Sequence, residues 1–393
     1  MKILFVGFPY SIHTYRWISQ LNGSEIDFYF FPNQHNQPLN TNFKNLKYFE
    51  SFYKTNYFND LPNNDYYSPY LNFLSFSKNS FLKKSLFFID KKINKEYHLM
   101  NDLLKVIKTI KPDIVHSMET QNSGYLVSLA KENFKGKFPI WVHSIWGIDL
   151  HFYGNKPSHQ SQIRKCISAV DFLVTEGKRD YKLAVSFGYK NKEIIFPSVG
   201  GGFFVPDVIN KKTSERKIIL VKGWQDECRN ALNSLEAIGN CAKELETFEV
   251  IVYSANKPVI DYVEKIKKEK LIKIQIVDNI SNQNLIDLNK KARVSLCVNF
   301  SDGLPNAMFE AMMCGAFPIQ SNTSMAEEWI EDGITGILVP SDSVELTIKA
   351  LKTALQNDNL VDKAGIHNHQ LIQNKLNYYK IREEVLDFYN GLF

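Results

Sequence analysis

Two acidic residues, Asp302 and Glu310, stand in the stretch of residues 294–318, VSLCVNFSDGLPNAMFEAMMCGAFP. Its apolar start predicts a buried parallel strand, and the turn-forming residues that follow predict a loop around Asp302. Residues 307–313 are good helix formers, and Gly315 suits the left-handed position that ends a helix. Ligands of open α/β sheets bind beyond the carboxyl ends of strands, where a helix N-terminus attracts phosphate. We expect Glu310 in the first turn of this helix, within reach of a ligand held there.

The rest of the chain alternates short apolar runs with segments of helical period, which predicts α/β structure with parallel sheets. The Gly- and Pro-containing run at residues 198–212, SVGGGFFVPDVINKK, predicts a domain boundary. The predicted architecture is two Rossmann-like, doubly wound parallel-sheet domains that face each other across a cleft. Among the predicted helices are residues 344–355, with a capping-box pair at Asp342 and Glu345, and residues 370–388 near the C-terminus.

The composition is that of a soluble globular protein: 393 residues, 44% hydrophobic and 23% charged, enough for two domains. The net charge of +5 permits an anionic ligand without requiring one. The five cysteines are scattered and form no CxxC motif, which indicates a reducing compartment and argues against a disulfide framework or a zinc site. The N-terminal apolar run is too short for a signal peptide, and no run approaches the roughly 20 apolar residues of a membrane span. We therefore expect a cytoplasmic protein.

Residues 301–321, SDGLPNAMFEAMMCGAFPIQS, resemble the ExxxxxxxE motif of glycosyltransferase family 4 and the EAM–CG–P segment that follows it. The first acid of the motif is here Asp302 rather than Glu, which keeps the charge on a shorter side chain. Members of this family have the GT-B fold. The resemblance is close over residues 217–340 and looser over the N-terminal half. It implies a retaining, metal-independent enzyme that moves a sugar from a nucleotide-diphosphate donor to an acceptor hydroxyl, with no cofactor.

The resemblance also implies a role for each domain. Residues 1–205 would form the acceptor-side domain and residues 206–370 the donor-binding domain, and residues 371–393 would form a helix that returns to the first domain. Glu310 would bind the ribose hydroxyls of the donor, while Asp302 and the backbone after it would face the sugar and the diphosphate. The implied donor-binding residues are Gly223, Trp224, Gly303, Leu304, Pro305, Asn306, Ala307 and Glu310.

A cationic segment, VKGWQDECRNAL at residues 221–232, follows the first predicted strand of the second domain. In the family, a Gly-Arg pair and a Lys six residues after the Gly occupy this place, whereas this chain has Trp224 after Gly223 and Arg229 at the Lys position. A fixed cation stabilises the charge that builds on a departing diphosphate. Arg229 is the first choice for this role and Lys222 the second; the alternative for both is a solvated surface cation. Trp224 either stacks on the donor or packs against the protein.

Three segments of the first domain resemble loops of the family. WVHSIWGIDL resembles the HGxD loop, with Trp146 in place of the His and with Asp149 kept, which would either orient an acceptor hydroxyl or cap its own loop. KPDIVHSMET resembles KPDxxHxH, with His116 kept, and GFPYSIHTYRW resembles a His-x-x-Arg-Trp variant whose Trp17 we expect in the core. The acceptor-side candidates are His13, Arg16, His116, Glu119 and Trp146.

Aromatic and lysine residues alternate over residues 53–95, which indicates either an interfacial membrane patch or a packed amphipathic helix with its lysines in water. No RNA-binding or zinc pattern accompanies the charge, so we expect no nucleic-acid partner. The expected partners are a UDP- or GDP-linked sugar and a glycan or lipid-linked acceptor. The reaction would belong to bacterial cell-surface polysaccharide or glycolipid synthesis, with peripheral contact to the inner face of the membrane as an open alternative.

Other functions would leave different signatures in the sequence. A non-catalytic nucleotide-sugar-binding homologue would explain the departures at Asp302, Trp224 and Trp146, and a GT-B nucleotide-sugar epimerase also stays open. A phosphorylase would need a cofactor-lysine context that the sequence does not have. A dinucleotide oxidoreductase would need a GxGxxG run after an opening strand, and neither opening strand has one. No DxD-type metal motif is evident, so no metal is expected.

Overall fold

The structure is a computed structural model, and it describes residues 1–33, 46–49, 66–67, 98–196, 201–209, 211–278 and 280–393. Contacts between residues divide the chain into two compact units, and we describe each by itself. Unit 1 comprises Met1–Gly201 and Arg382–Phe393, and unit 2 comprises Gly202–Ile381. The aromatic and lysine-rich segment at residues 53–95 lies outside the described residues, apart from two residues of one strand.

Unit 1 is built on a parallel sheet of eight strands in the order β4-β3-β2-β1-β5-β6-β7-β8. The central strand β1 carries an apolar run that is buried on both faces, as expected for a strand inside a parallel sheet. The strands are β1 (Lys2–Gly7), β2 (Asp27–Pro32), β3 (Leu46–Phe49), β4 (Tyr66–Tyr67), β5 (Ile114–Met118), β6 (Ile140–Ser144), β7 (Phe172–Thr175) and β8 (Ile194–Ile195).

Five helices and a π-helical turn at Thr120–Gly124 accompany this sheet in the described part of unit 1. The helices are α1 (Ile12–Ser19), α2 (His98–Ile110), α3 (Tyr125–Asn133), α4 (Pro157–Ala169) and α5 (Lys178–Ser186). The sequence pattern does not predict α4 or α5. Both helices are polar overall, and each buries only two or three side chains, such as Ile163, Cys166 and Ile167 in α4, so few apolar residues mark them in the sequence. Trp17 is fully buried, which confirms its predicted place in the core.

Unit 2 is built on a parallel sheet of six strands in the order β11-β10-β9-β12-β13-β14. Its helices are α6 (Ala231–Asn240), α7 (Lys257–Glu269), α8 (Asn282–Asn289), α9 (Asn306–Met313), α10 (Val344–Gln356) and α11 (Asp358–Leu376). Its strands are β9 (Ile218–Lys222), β10 (Glu249–Tyr253), β11 (Ile274–Val277), β12 (Ala292–Cys297), β13 (Phe317–Ser321) and β14 (Ile337–Val339). The βα alternation and the two parallel sheets confirm the predicted doubly wound fold class.

One predicted helix cap and one predicted helix in this half of the chain are wrong. The cap of α10 is Ser343, whose Oγ accepts from the N–H of Leu346 at 3.2 Å, rather than Asp342. The predicted helix at residues 370–388 is divided between α11 and α12 (Tyr378–Asn390). Asn377 is extended between them because the main chain pairs there with Phe203, through Phe203 N–H to Leu376 C=O at 2.7 Å and Tyr378 N–H to Phe203 C=O at 2.8 Å.

The C-terminal part of α12 packs within unit 1. Tyr389 is fully buried, and its hydroxyl accepts a hydrogen bond of 2.8 Å from Trp17 Nε1. In the part of the chain that the structure describes, no helix is both long enough and apolar enough to cross a bilayer.

Candidate active site

The loops that follow β9 and β12 lie side by side at one edge of the unit 2 sheet, because these two strands are neighbours and parallel. Three backbone contacts join the loops: a bridge between Arg229 and Asn299, Asn230 N–H to Val298 C=O at 3.1 Å, and Ser301 N–H to Cys228 C=O at 3.0 Å. The cationic segment and the acidic loop, more than 70 residues apart in the sequence, are therefore held as one surface.

Asp226 organises the cationic loop. Its Oδ1 accepts from the N–H groups of Cys228 and Arg229, each at 2.8 Å, and its Oδ2 accepts from Arg229 Nη1 at 2.6 Å. Partial burial favours the neutral carboxyl, but the Cys228 N–H and the Arg229 guanidinium outweigh it and lower the pKa of Asp226. The Arg229 side chain is 40% exposed, so its guanidinium is held in place yet accessible to a ligand.

Gly223 and Lys222 lie where β9 ends. A Cβ on Gly223 would stand 2.5 Å from Val252 Cγ1 and 3.1 Å from the carbonyl oxygen of Tyr253, so the loop passes too close to β10 for any other residue. Lys222 is half-buried as the last residue of β9. Burial raises the pKa of the Cys297 thiol, while the charge of Lys222 opposes that rise. Val221 pairs with Leu296, so Lys222 and Cys297 are neighbours at the ends of β9 and β12.

Trp224 is 42% exposed, and its Nε1 donates a hydrogen bond of 3.0 Å to Asp226 Oδ2. The indole is therefore tethered to the loop rather than packed in the core, and its stacking on a donor stays a prediction. The same carboxylate oxygen receives both the Arg229 guanidinium and the Trp224 N–H.

Asp302 is oriented by its own loop. Its Oδ2 accepts from Asn299 Nδ2 at 2.8 Å, and its Oδ1 accepts from the N–H of Gly303 at 2.9 Å. Asp302 also acts on the buried Cys297 thiol, whose pKa is raised by burial and further by this carboxylate. Asp302 and Lys222 thus lie near the same side chain at the end of β12, where opposite charges favour each other.

The helix α9 begins directly after this loop. Pro305 precedes Asn306 in an extended conformation, and the Pro305 side chain makes no capping hydrogen bond. Asn306 and Ala307 are half-buried, whereas Gly303 and Leu304 are buried. The first N–H groups of a helix carry partial positive charge, which favours an anion beside this end of α9. Gly315, with φ +74°, ends the helix as predicted.

Glu310 is the fifth residue of α9, in its second turn, so the predicted placement in the first turn is wrong. The helix starts one residue earlier than its sequence suggests because Asn306, not Ala307, is the first residue after Pro305. Glu310 is 5% exposed, and its Oε1 accepts a hydrogen bond of 2.9 Å from Asn282 Nδ2 at the start of α8. A buried carboxylate is thereby fixed beside the amino end of α9.

In unit 1, Glu119 follows β5 with φ +77°, a left-handed conformation that costs a non-glycine residue about 1–3 kcal/mol. Its carboxylate accepts from the N–H groups of Asn122, at 3.0 Å, and Ser123, at 3.2 Å, and so caps the π-helical turn. Burial raises the pKa of Glu119, against the opposing effect of these hydrogen bonds. Glu119 therefore shapes the loop that follows β5.

Asp149 joins this loop to the one after β6. Its Oδ2 accepts from Trp146 N–H at 2.8 Å, from Thr120 N–H at 2.8 Å and from Thr120 Oγ1 at 3.0 Å. The side chain is 2% exposed, and burial together with the charge of Glu119 raises the pKa of Asp149 well above its usual range. The hydrogen bond from Trp146 N–H is the loop-capping contact that the sequence offered as one alternative for Asp149. A role of Asp149 toward an acceptor stays a prediction.

Two histidines, one in β5 and one in β6, are fully buried. His116 pairs through Nδ1 with Tyr389 Oη at 2.5 Å and through Nε2 with Ser144 Oγ at 2.8 Å. His143 pairs through Nε2 with Thr120 Oγ1 at 3.1 Å. Burial lowers the pKa of His143 to about 4, and burial and the charge of His143 lower the pKa of His116 well below its usual range. Both rings are therefore neutral at neutral pH and support the loops.

The remaining acceptor-side candidates are His13, Trp146 and Arg16. The rings of His13 and Trp146 have centroids 5.4 Å apart, and Phe8 lies 6.3 Å from Trp146. The structure thus brings the first loop of unit 1 against the loop after β6. Arg16 is half-buried in the last turn of α1, where its carbonyl oxygen accepts from Ser19 and Gln20.

Four positioning residues are absent from the sequence-based set. Asp226 and Asn299 each stand three residues before the group that they hold, a spacing typical of local turn contacts. Asn282 and Tyr389 lie far along the chain from Glu310 and His116, so no local pattern indicates them. Across the described ranges, no group of three or more His, Cys, Asp or Glu side chains is arranged to hold a metal ion.

Two family models match the chain. The model for Glycosyl transferases group 1 matches residues 207–375, and the model for Glycosyl transferase 4-like matches residues 76–175, so that together they span more than half of the sequence. The chain is a glycosyltransferase with a group 1 domain. The loops after β9 and β12 of this glycosyltransferase lie within the first match, and the turn after β5 lies within the second.

Solved structures share the fold of this group 1 glycosyltransferase, which is GT-B. Sucrose-phosphate synthase from Thermosynechococcus elongatus aligns with a TM-score of 0.70 and 13% identity, over 100% of this chain and 99% of that one. HepE of Anabaena, in complex with UDP and glucose, gives a TM-score of 0.67 and 11% identity over 100% of both chains. The apo form of the lipopolysaccharide outer core galactosyltransferase WaaB aligns with a TM-score of 0.62 and 15% identity, over 98% of this chain and 99% of that one. No curated protein sequence matches this glycosyltransferase.

Proposed function

We propose that this group 1 glycosyltransferase moves a sugar from a nucleotide-diphosphate sugar to an acceptor hydroxyl, with retention at the anomeric carbon and without a metal ion. The observation that carries the proposal is the joined surface of unit 2, where Arg229, Asp302 and the start of α9 meet, with Glu310 one turn further along. A UDP-linked sugar is the first choice of donor, because HepE is described in complex with UDP and with UDP-glucose.

Glu310 would hold the nucleoside. A carboxylate with two acceptor oxygens matches the two adjacent hydroxyls of a ribose, and hydrogen bonds to an ionised acceptor are among the stronger ones. Asn282 donates a hydrogen bond to one of these oxygens and so fixes the rotamer of the Glu310 side chain. Such prior ordering lowers the entropy that binding would otherwise cost.

Arg229, Lys222 and the first N–H groups of α9 would hold the diphosphate. Negative charge builds on the phosphate oxygen while its bond to the sugar breaks, so fixed positive groups stabilise the transition state more than the bound donor. The Asp226 carboxylate keeps the guanidinium in place before the reaction begins. Arg229 uses one of its five N–H donors for this contact and can offer others to a phosphate.

The reaction would proceed on one face of the sugar. The bond between the anomeric carbon and the phosphate oxygen breaks, and the acceptor oxygen bonds to that carbon from the same side. The acceptor proton passes to the departing phosphate oxygen, so the step needs no nucleophile from the enzyme. Asp302, oriented by Asn299, would accept a hydrogen bond from a hydroxyl of the transferred sugar.

Unit 1 would hold the acceptor. His13 and Trp146 offer a ring surface, while Asp149 and Glu119 fix the loops that carry it. A glycan or lipid-linked acceptor of bacterial cell-surface synthesis, at the inner face of the membrane, is supported by the likeness to WaaB, which is described as a lipopolysaccharide galactosyltransferase.

A donor screen with product analysis tests the proposal. Thermal unfolding of the full chain with UDP-, GDP-, dTDP- and ADP-sugars should give the largest rise in melting temperature for UDP-sugars, because a ligand stabilises the state that it binds. That donor should then be consumed, with an α-configured donor giving an α-linked product and EDTA having no effect. Donor binding without turnover on any glycan or lipid-linked acceptor would instead support a non-catalytic homologue, and a changed nucleotide sugar would support an epimerase.

A further inference from the structure

A cavity of about 540 Å³ lies in unit 1 at the edge of the sheet where the strands begin. Its wall includes Asp113, just before β5, Ile140 at the start of β6, and residues at the ends of α2 and α3. The strand β5 has five residues, so roughly 16 Å separate this edge from the turn that follows it. The volume falls in the range of roughly 300–1,000 Å³ that is typical of small-molecule sites. A ligand here would therefore lie apart from every residue to which the proposed function gives a role.

The floor of this cavity is apolar, and the main chain beside it is already hydrogen-bonded. The rings of Phe134 and Phe138, with centroids 5.4 Å apart, lie there together with two prolines. The N–H of Asp113 donates to Lys2 C=O at 2.9 Å, and the N–H of Ile140 donates to Asp113 C=O at 3.1 Å. A sugar or a nucleobase would lose hydrogen bonds to water on this floor without replacing them. The floor therefore favours a hydrocarbon.

Three lysines surround the apolar floor: Lys108 in the last turn of α2, Lys111 just after that helix, and Lys137 in the loop before β6. All three are exposed, and none of them forms an ion pair within the described part of the chain. Among the described side chains of the wall Asp113 alone is acidic, and its Oδ2 accepts from Lys2 N–H at 2.8 Å. The described wall therefore carries more positive than negative charge.

Other lysines on the same two helices do have acidic partners. Lys105 of α2 lies 3.9 Å from Asp102 Oδ1, and Lys131 of α3 lies 3.4 Å from Asp171 Oδ1. The C-terminus of a helix attracts cations, which accounts for the two lysines at the end of α2 but not for Lys137, which lies outside the helices. Unpaired cations on separate segments around one cavity indicate an anionic group on its ligand.

We propose that this cavity binds a small amphipathic anion, a hydrocarbon body with a phosphate or carboxylate head, which is neither the donor nor the acceptor of the proposed reaction. The body lies on the phenylalanine rings, and the head lies among the three lysines. Phe134 and Phe138 are half-buried in a concave wall. Apolar groups that enter a bilayer must project from the protein, so this wall favours a free molecule over a membrane surface.

The first test is isothermal titration calorimetry of the full chain, without nucleotide sugar, using probes below their micelle-forming concentrations. Octyl phosphate and octanoate carry both the hydrocarbon and the anionic head, whereas inorganic phosphate and octyl glucoside each lack one of them. Octyl phosphate should bind at least about tenfold more tightly than inorganic phosphate or octyl glucoside. It should also bind about tenfold more tightly than hexyl phosphate, because two further methylene groups are buried.

The second test uses two double variants with the same net charge. Lys108→Gln/Lys137→Gln removes two cations from the cavity, and Lys135→Gln/Lys190→Gln removes two exposed cations of unit 1 that do not line it. The first variant should bind octyl phosphate about tenfold more weakly than wild type, and the second should bind it equally. Thermal unfolding checks that both variants fold, which the exposure of all four lysines favours.

Three results would overturn the proposal: no binding of octyl phosphate by the folded wild-type chain, equal affinities in the two double variants, or equal affinities for hexyl and octyl phosphate. Binding to phosphatidylglycerol vesicles without binding of octyl phosphate would also overturn it, in favour of a membrane surface. Neither donor nor acceptor is present in these measurements. Failure of the proposed function would therefore leave the result for this cavity unchanged.

Discussion

Asn282 Nδ2 donates a hydrogen bond of 2.9 Å to Glu310 Oε1, although the two residues belong to different helices, α8 and α9. Glu310 is buried, and Asn282 lies at the exposed start of its helix. The contact joins the surface of unit 2 to the carboxylate that we assign to the donor ribose. It therefore gives a way to perturb the position of Glu310 without changing its charge.

Asn282→Ala should raise the KM for the donor by about tenfold, since a hydrogen bond to a charged group contributes about 1.5–3 kcal/mol and the exposure of Asn282 places it at the low end. The value of kcat should change much less, because the contact is made in the ground state as well. Steady-state kinetics with the donor varied measure both quantities. Asn284→Ala, on an exposed position of the same helix, is the control, and an equal KM for both variants would contradict the assignment.

Arg229→Ala should lower kcat by about 10²–10³, the usual cost of removing one fixed group that stabilises transition-state charge. Arg229→Lys should keep part of the activity because it keeps the charge but loses the paired geometry with Asp226. Lys257→Ala, at an exposed cation of unit 2, should change nothing. If Arg229→Ala alters KM alone, the guanidinium binds the donor equally well in the ground state and in the transition state. It would then have no part in bond breaking.

Gly223→Ala should destabilise unit 2 by about 1–3 kcal/mol, because its Cβ would stand 2.5 Å from Val252 Cγ1 in a closely packed place. Gly239→Ala, in the same unit, should instead stabilise the protein. The nearest atom to its Cβ is 3.9 Å away, and alanine in a helix interior is favoured over glycine by about 0.5–1 kcal/mol. Urea denaturation measures both changes. Destabilisation by both variants to the same extent would show that the space around Gly223 is not limiting.

His143 predicts a dependence of stability on pH. Burial lowers its pKa in the folded state to about 4 from 6.5, so between these values the unfolded chain binds a proton that the folded chain does not. The free energy of unfolding must therefore fall as pH falls from 6.5 to 4, by as much as about 3 kcal/mol. The raised pKa values of Glu119 and Asp149 act in the opposite direction over their own ranges.

The difference in the free energy of unfolding between wild type and His143→Gln isolates the effect of His143, because the carboxyls of Glu119 and Asp149 are present in both proteins. The advantage of wild type over the variant in urea denaturation should shrink between about pH 6.5 and about pH 4.5. Burial, the larger cause of the lowered pKa of His116, is present in both proteins and cancels in the difference, whereas the smaller effect of the His143 charge on His116 is lost in the variant and belongs to the measured effect of His143. A difference that is constant over this range would mean that His143 is not held neutral.

Local patterns were sufficient for the elements that carry the site. The strand before Asp302 is a short apolar run, and Gly315 ends α9 in the left-handed conformation that its residue type indicates. The loop after β9 was placed correctly because a cation, a glycine and a tryptophan follow an apolar strand. These features depend on residues within one element or one turn, where sequence and structure are directly linked.

Features that depend on distant residues could not be predicted in this way. The break at Asn377 interrupts a continuous helical period because the main chain of Phe203 pairs with both neighbours of Asn377. The buried position of His116 depends on Tyr389, which is 273 residues away. Glu310 was placed one residue too early in its helix, and so in the first turn, because a single residue, Asn306, decides where the helix begins.

Replacement of Glu310 by glutamine is the most direct test of the proposed donor site. The amide oxygen of a glutamine side chain can still accept from Asn282, so Glu310→Gln removes the charge with little change in shape. Glu345→Gln, at an exposed position of α10, is the matched control, and thermal unfolding checks that both variants fold. We predict that Glu310→Gln lowers kcat/KM for the UDP-sugar by about 10- to 100-fold and that Glu345→Gln leaves it unchanged. Equal kcat/KM values for wild type and Glu310→Gln would contradict the donor site.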